Sequence, residues 1–294
     1  MSMLNAVLRG LLALAFAAAA HAQSDTARQQ AMEAAIKAAD AVTVAGPSEV
    51  KLAAQAVLKL PAGMLYIPQP AAGQLMQAMG NSVDSSLLGL VRGAGDAHWL
   101  VVARWEAAGY IKDDDAKDWN VDDLFKSLKE GTEEANKRRK EMGFPALEIV
   151  GWVQKPSYDS AAHRLVWSMA ARSEGRDADD QSVNYNTYAL GREGYVTLNL
   201  ITARASVEQD KPAAHALLGA LQFNDGKRYD DFNSKTDKVA EYGLAALVAG
   251  VAAKKLGLIA VILAFFAKFA KVLVLVGAGA IAVVAKLFKR RDTA

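Results

Sequence analysis

The stretch VNYNTYALGREGYVTLNL, residues 183–200, leaves this chain few ways to fold. Two alternating runs flank Gly191-Arg192, which suits a two-residue type II′ turn with glycine at the position of positive φ. Counting outward pairs Tyr188 with Tyr195, Thr187 with Val196, Asn186 with Thr197, Tyr185 with Leu198 and Asn184 with Asn199. Val183, Tyr185, Thr187, Val196, Leu198 and Leu200 then share one face. Asn184, Asn186, Tyr188, Tyr195, Thr197 and Asn199 share the other. So clean a separation into apolar and polar sides supports the register. The polar side has two readings. It is either the wetted face of an antiparallel sheet, or a ligand or partner surface in which tyrosine rings and asparagine amides supply flat area and adaptable hydrogen bonds.

Other segments extend the same architecture. Residues 163–172 alternate Leu165, Trp167 and Met169, which join the meander with Trp167 among the core-facing set. Strands are also predicted at 146–155 and 98–106, and as short pieces from Val50 to Ile67 around the turn Pro61-Ala62-Gly63. Helices are predicted at 25–41, with Met32, Ile36 and Ala39 on one face, and at 71–79, 122–142 and 206–221. Gly131-Thr132 divides the third of these, or marks a stop and restart. The reading is α+β: an antiparallel sheet with packed helices, followed by a C-terminal transmembrane helical segment.

The two ends predict an address. MSMLNAVLRGLLALAFAAAAHAQ places Arg9 before an apolar run and ends on Ala20-His21-Ala22, the pattern of a cleaved secretory leader over 1–22. An exported domain over 23–236 and an anchoring tail over 237–294 follow. In the tail, apolar runs at 256–267 and 272–285 are split by Lys268 and Lys271. One crossing from Val272 to Phe288 lets Lys271 and Lys286 reach opposite interfaces. A hairpin crossing would instead put Lys254 and Lys255 at mid-bilayer, at ~2.5–3.5 kcal/mol each, and leave the basic end outside. One crossing is preferred. It predicts the inner membrane, a periplasmic domain and a cytoplasmic C-terminus. Lys254, Lys268, Lys271, Lys286 and Lys289 fall within an arc of about 100° on a continuous helix, where they serve as membrane-interface lysines. Residues 239–267 lying on the membrane as an amphipathic helix is the alternative, and would make the protein lipid-binding or membrane-active.

Chemistry is sparse. The 294 residues contain no cysteine and carry a net charge of +2, so no thiolate chemistry and no field for nucleic acid is expected. No metal site, cofactor site or catalytic residue is predicted. Asp113, Asp114 and Asp115 miss the EF-hand pattern, because Lys117 stands at the third ligand position and no glycine follows where the turn belongs. Carboxylates ahead of a helix fit capping instead. A hydrolase using these aspartates, or Asp230 and Asp231, is a weakly supported alternative. The predicted partners are the lipid bilayer, through the tail, and a protein of the cell envelope.

The segments WLVVARWEAAGYIKDDDAKDW, KEGTEEANKRRKEMGFPALEIVGWVQKP, VNYNTYALGREGYVTLNL and FNDGKRYDDFNSKTDKVAEYGLAALVAG occur in this order. In them the chain resembles a bacterial family of membrane-anchored proteins, domain of unknown function 2167, from about residue 46 to the tail. The resemblance implies a leader, an exported domain and a C-terminal anchor. It implies no activity and transfers no catalytic residue.

Overall fold

The computed structural model describes residues 27–249 apart from positions 82, 96, 118 and 142. The leader at 1–22 and the tail lysines Lys254, Lys268, Lys271, Lys286 and Lys289 lie outside the described residues. Among the described residues, no helix is long and apolar enough to cross a membrane.

The elements run α1 (27–42), β1 (Val44–Ala45), β2 (Ser48–Leu52), β3 (Ala56–Leu60), β4 (Met64–Pro68), α2 (Ala71–Ala78), β5 (Leu87–Gly93) and β6 (Leu100–Glu106). They continue with α3 (Val121–Glu141), β7 (Leu147–Asp159), β8 (Arg164–Ser173), β9 (Gln181–Leu190), β10 (Tyr195–Ala203), α4 (Val207–Ala220), β11 (Leu221–Phe223) and α5 (Leu244–Ala249). The fold is α+β with antiparallel sheets. One sheet has eight strands in the order β1-β4-β5-β6-β10-β9-β8-β7, and the other has three in the order β11-β3-β2.

The β9–β10 hairpin lies inside the large sheet, between β6 and β8. Its register differs from the predicted one by two residues: Tyr188 pairs with Thr197, and Tyr185 with Leu200. The turn therefore holds four residues, Gly191 to Gly194, closed by the Gly191 N–H donating to Gly194 O at 2.8 Å. Side chains alternate with a period of two, so a two-residue shift leaves both faces intact. Val183, Tyr185, Thr187, Val196, Leu198 and Leu200 are all at most 1% exposed. The hydrophobic members pack with Leu52, Leu58 and Leu60 of the small sheet and with Val207, Ala214 and Leu217 of α4. Each such leucine contributes about 1.5–3 kcal/mol by leaving water. Thr187 is admitted because its hydroxyl donates to Leu198 O at 2.6 Å. On the opposite face, Ala39 of α1 and Ala71, Ala72 and Met76 of α2 cover Ile67, Leu87, Leu90 and Val102.

Two local expectations are corrected. In α1 the buried face carries Ala35 and Ala39, while Ile36 is 46% exposed. Small residues four apart let the helix lie close to its neighbours. Helix α3 runs unbroken through Gly131-Thr132. Gly131 is buried, and a glycine within a helix costs only about 1 kcal/mol.

The chain divides into two compact units. Among the described residues, one comprises 27–111 and 132–240, and the other 112–131 and 241–249. In the second, one of the three aspartates, Asp115, caps a helix, but not the one that follows the cluster. Asn120 Oδ1 accepts the Asp122 and Asp123 N–H groups at 3.0 and 3.3 Å, capping α3. Asp115 accepts the Leu244 and Ala245 N–H groups at 3.1 and 3.0 Å, capping α5. Gly243 permits this approach, since an added Cβ would stand 2.6 Å from the Asp115 carboxylate.

Candidate functional site: a strap across the end of the sheet

Residues 224–240 follow β11 without forming a long element, and they are fastened to the first unit at many points. The Gly191–Gly194 turn makes the first group of contacts. Its Arg192 N–H donates to Lys227 O at 3.0 Å, and Gly191 bridges Arg228. The Arg192 guanidinium grips Asp237 with two parallel bonds, Nε–Oδ2 at 2.6 Å and Nη2–Oδ1 at 2.8 Å. This fork-to-fork geometry is the strong form of the ion pair. Glu193 takes Lys227 Nζ at 2.6 Å and Gln55 Nε2 at 2.8 Å. The turn thus spends both charged side chains on the strap.

Arg192 and the Asn233 N–H at 2.7 Å hold the Asp237 carboxyl well below the usual carboxylate range. A depressed carboxyl contributes stability above its unfolded value, near 3.9, and that contribution is lost as the pH falls below it. Asp237→Asn is therefore expected to flatten the acid limb of the stability profile below about pH 4. Thermal unfolding of both proteins between pH 3 and 5 measures this.

The second group of contacts is a stack of rings. Tyr110 joins the strap by its backbone, donating to Lys238 O at 2.8 Å and accepting the Ala240 N–H at 2.9 Å. Its ring lies between Phe232, at 3.8 Å, and Tyr229, at 4.4 Å. Tyr229 in turn stacks on His163 at 4.0 Å, and its hydroxyl donates to Ile111 O at 2.7 Å. His163 stands at φ +52° in the β7–β8 loop. Its Nδ1 is 3.2 Å from Tyr158 Oη, and its Nε2 is 3.2 Å from Asp230 Oδ1. Asp231 accepts the Arg228 N–H at 2.9 Å, and Arg228 pairs with Asp225. Four rings from three separate segments are so aligned.

The sequence-predicted polar face lies elsewhere on the large sheet. Asn186, Tyr188 and Thr197 are buried, at 6%, 8% and 5% exposure, while Asn184, Tyr195 and Asn199 are half-buried. The expected wetting is not found. Strand β8 accounts for part of this: Trp167 pairs with Asn186, Leu165 with Tyr188 and Met169 with Asn184. These three apolar side chains therefore stand beside the polar set, and Trp167 is not on the face of Tyr185. Burial pushes the Tyr188 phenol above its ordinary value. The rings of Tyr188 and Tyr195 lie 5.7 Å apart. On the other face the Tyr185 hydroxyl meets Gln154 Oε1 and His215 Nε2, each at 2.9 Å.

Reading from sequence missed the strap because it has no periodicity. Its one signal was the interleaving of aromatic and acidic residues in RYDDF, 228–232, between two loop segments. Of the aspartates considered for acid–base work, Asp115 caps α5, Asp230 meets His163 and Asp231 holds Arg228. Among the described residues, no group of three or more His, Asp or Glu side chains is placed to hold a metal ion.

Comparison with known proteins gives a family and, among solved structures, a likeness in fold. The solution structure of cyanobacterial PsbP (CyanoP) from Synechocystis sp. PCC 6803 aligns with a TM-score of 0.36 and 8% identity. The alignment covers 62% of this chain and 91% of that one. No curated protein matches. The family described as Protein of unknown function (DUF2167) matches residues 44–279, from β1 through the strap and beyond, and the chain belongs to that family.

Proposed function

We propose that this chain is an exported module, tethered to the inner membrane by its C-terminal tail, that works by binding a protein of the cell envelope rather than by catalysis. The strap carries this reading. The segment leading toward the apolar tail is fastened to the module by a bidentate ion pair, backbone bonds to Tyr110 and Arg192, and a stack of rings. Such redundancy keeps the strap itself part of the folded body. The leader at 1–22 and the apolar runs at 256–267 and 272–285 support the export and the tether. Of the carboxylates of the competing hydrolase reading, Asp115 caps α5, Asp230 bonds to His163 and Asp231 accepts the Arg228 N–H, which favours binding over acid–base work. A tether raises the local concentration at the membrane, so modest contacts suffice for a partner held there too.

Photo-crosslinking in living cells tests this reading. A photoreactive residue placed singly at Val150 or Ile201, which are 43% and 36% exposed, samples two strands of the large sheet. A reproducible adduct with one protein at a given position is the expected result. Adducts with lipid alone, or none at either position, would count against the proposal.

A further inference from the structure

We infer that the strap is a latch that tightens in acid, with His163 as its sensor. The inference is independent of which partner the module binds. His163 is fixed from the sheet side: its carbonyl accepts the Leu190 N–H at 3.0 Å. Its ring contacts on the strap are Asp230 Oδ1, 3.2 Å from Nε2, and the Tyr229 ring at 4.0 Å. From β7, Tyr158 Oη lies 3.2 Å from Nδ1.

A neutral imidazole with its proton on Nε2 donates to Asp230 and accepts the Tyr158 O–H at Nδ1. A protonated imidazole donates to both, and the Tyr158 hydroxyl turns to accept. The ionised Asp230 carboxylate only accepts, so its bond to His163 becomes charge-assisted on protonation. The same cation lies over the face of Tyr229, where the ring quadrupole attracts it. Both gains fall on contacts that join the strap to the sheet. Histidine is the side chain that ordinarily changes charge between about pH 5 and 8.

On the strap, Arg228 pairs with Asp225, and Asp231 accepts the Arg228 N–H. Over 225–231 the strap carries Asp225, Asp230 and Asp231 against Lys227 and Arg228, and Lys227 pairs with Glu193. In the β7–β8 loop, Asp159 accepts the Ala161 and Ala162 N–H groups at 2.9 and 3.1 Å. Arg164 follows His163 in the chain, at the start of β8. Tyr110 lies one ring further along the stack. Asp237, held below the usual carboxylate range, stays ionised throughout the window.

Hydrogen exchange on the full chain in detergent micelles tests the latch. The reporters are the amides of Tyr110, Arg192 and Ala240, which bond to or from the strap. Their protection, normalised for the intrinsic effect of pH on exchange, is compared at pH 5.5 and 7.5. Wild type is expected to show about two- to fivefold greater protection at the lower pH, the scale of a largely exposed ion pair. His163→Gln should abolish the difference. Asp230→Asn, at a side chain 84% exposed and so tolerant of change, should diminish it. Equal protection at both pH values in wild type, or a difference that survives in both variants, would overturn the inference.

Discussion

Tyr229→Ala is expected to destabilise the first unit by about 3–5 kcal/mol, the range for deleting a buried aromatic ring. Tyr229 is 5% exposed and lies between Tyr110 and His163, so its removal strips a stacking partner from each. It also removes the donor to Ile111 O. Tyr229→Phe keeps the stack and loses only that hydrogen bond, for about 1 kcal/mol. Chemical denaturation of both variants separates the two contributions. If alanine and phenylalanine cost the same, the rings do not hold the strap. Local release is measured alongside by exchange at Tyr110 and Ala240, because a segment at the end of a sheet can open before the body unfolds.

Gly194→Ala should be about as damaging, at 3 kcal/mol or more, for a different reason. An added Cβ would stand 1.9 Å from Glu106 O. That oxygen belongs to the end of β6, at the position paired with Tyr195, so it cannot yield without disturbing the junction of β6 with β10. Gly226→Ala is the control. Gly226 has φ +75° but nothing within 4 Å of its would-be Cβ, so only the conformational cost applies, about 1–2 kcal/mol. A Gly194 variant no worse than the Gly226 variant would show that the turn is looser than its close approach implies. Thermal or chemical unfolding of the two gives the comparison.

The contrast between hairpin and strap explains what was legible in the chain. Alternation along 183–200 determined which side chains share a face, and those faces are the ones observed. The turn was read as two residues because Gly191-Arg192 satisfies a local rule. What decides its length is nonlocal: Gly194 seated on Glu106 O, and Arg192 and Glu193 drawn to Asp237 and Lys227. The small sheet escaped notice as a separate layer because β11 reaches β3 across more than 150 residues, which no window reveals. Alternation reports which residues differ in polarity, not what lies against them, so it does not reveal that Asn186, Tyr188 and Thr197 are buried. The strap has no periodicity to read, and its contacts are nonlocal. Tyr110, His163, Tyr229 and Phe232 stack only once the sheet has brought three loops together.

The proposed function rests on the body of this protein being exported and tethered by a single crossing. Protease treatment of intact and permeabilised cells, with epitope tags at Asp25 and Ala294, tests it most directly. A single crossing predicts that protease confined to the periplasmic side removes the Asp25 tag while the Ala294 tag persists on a short membrane-bound fragment, and that opening the inner membrane then exposes the Ala294 tag. Loss of the Ala294 tag to protease that cannot cross the inner membrane, or recovery of the mature chain free of membrane, would contradict it.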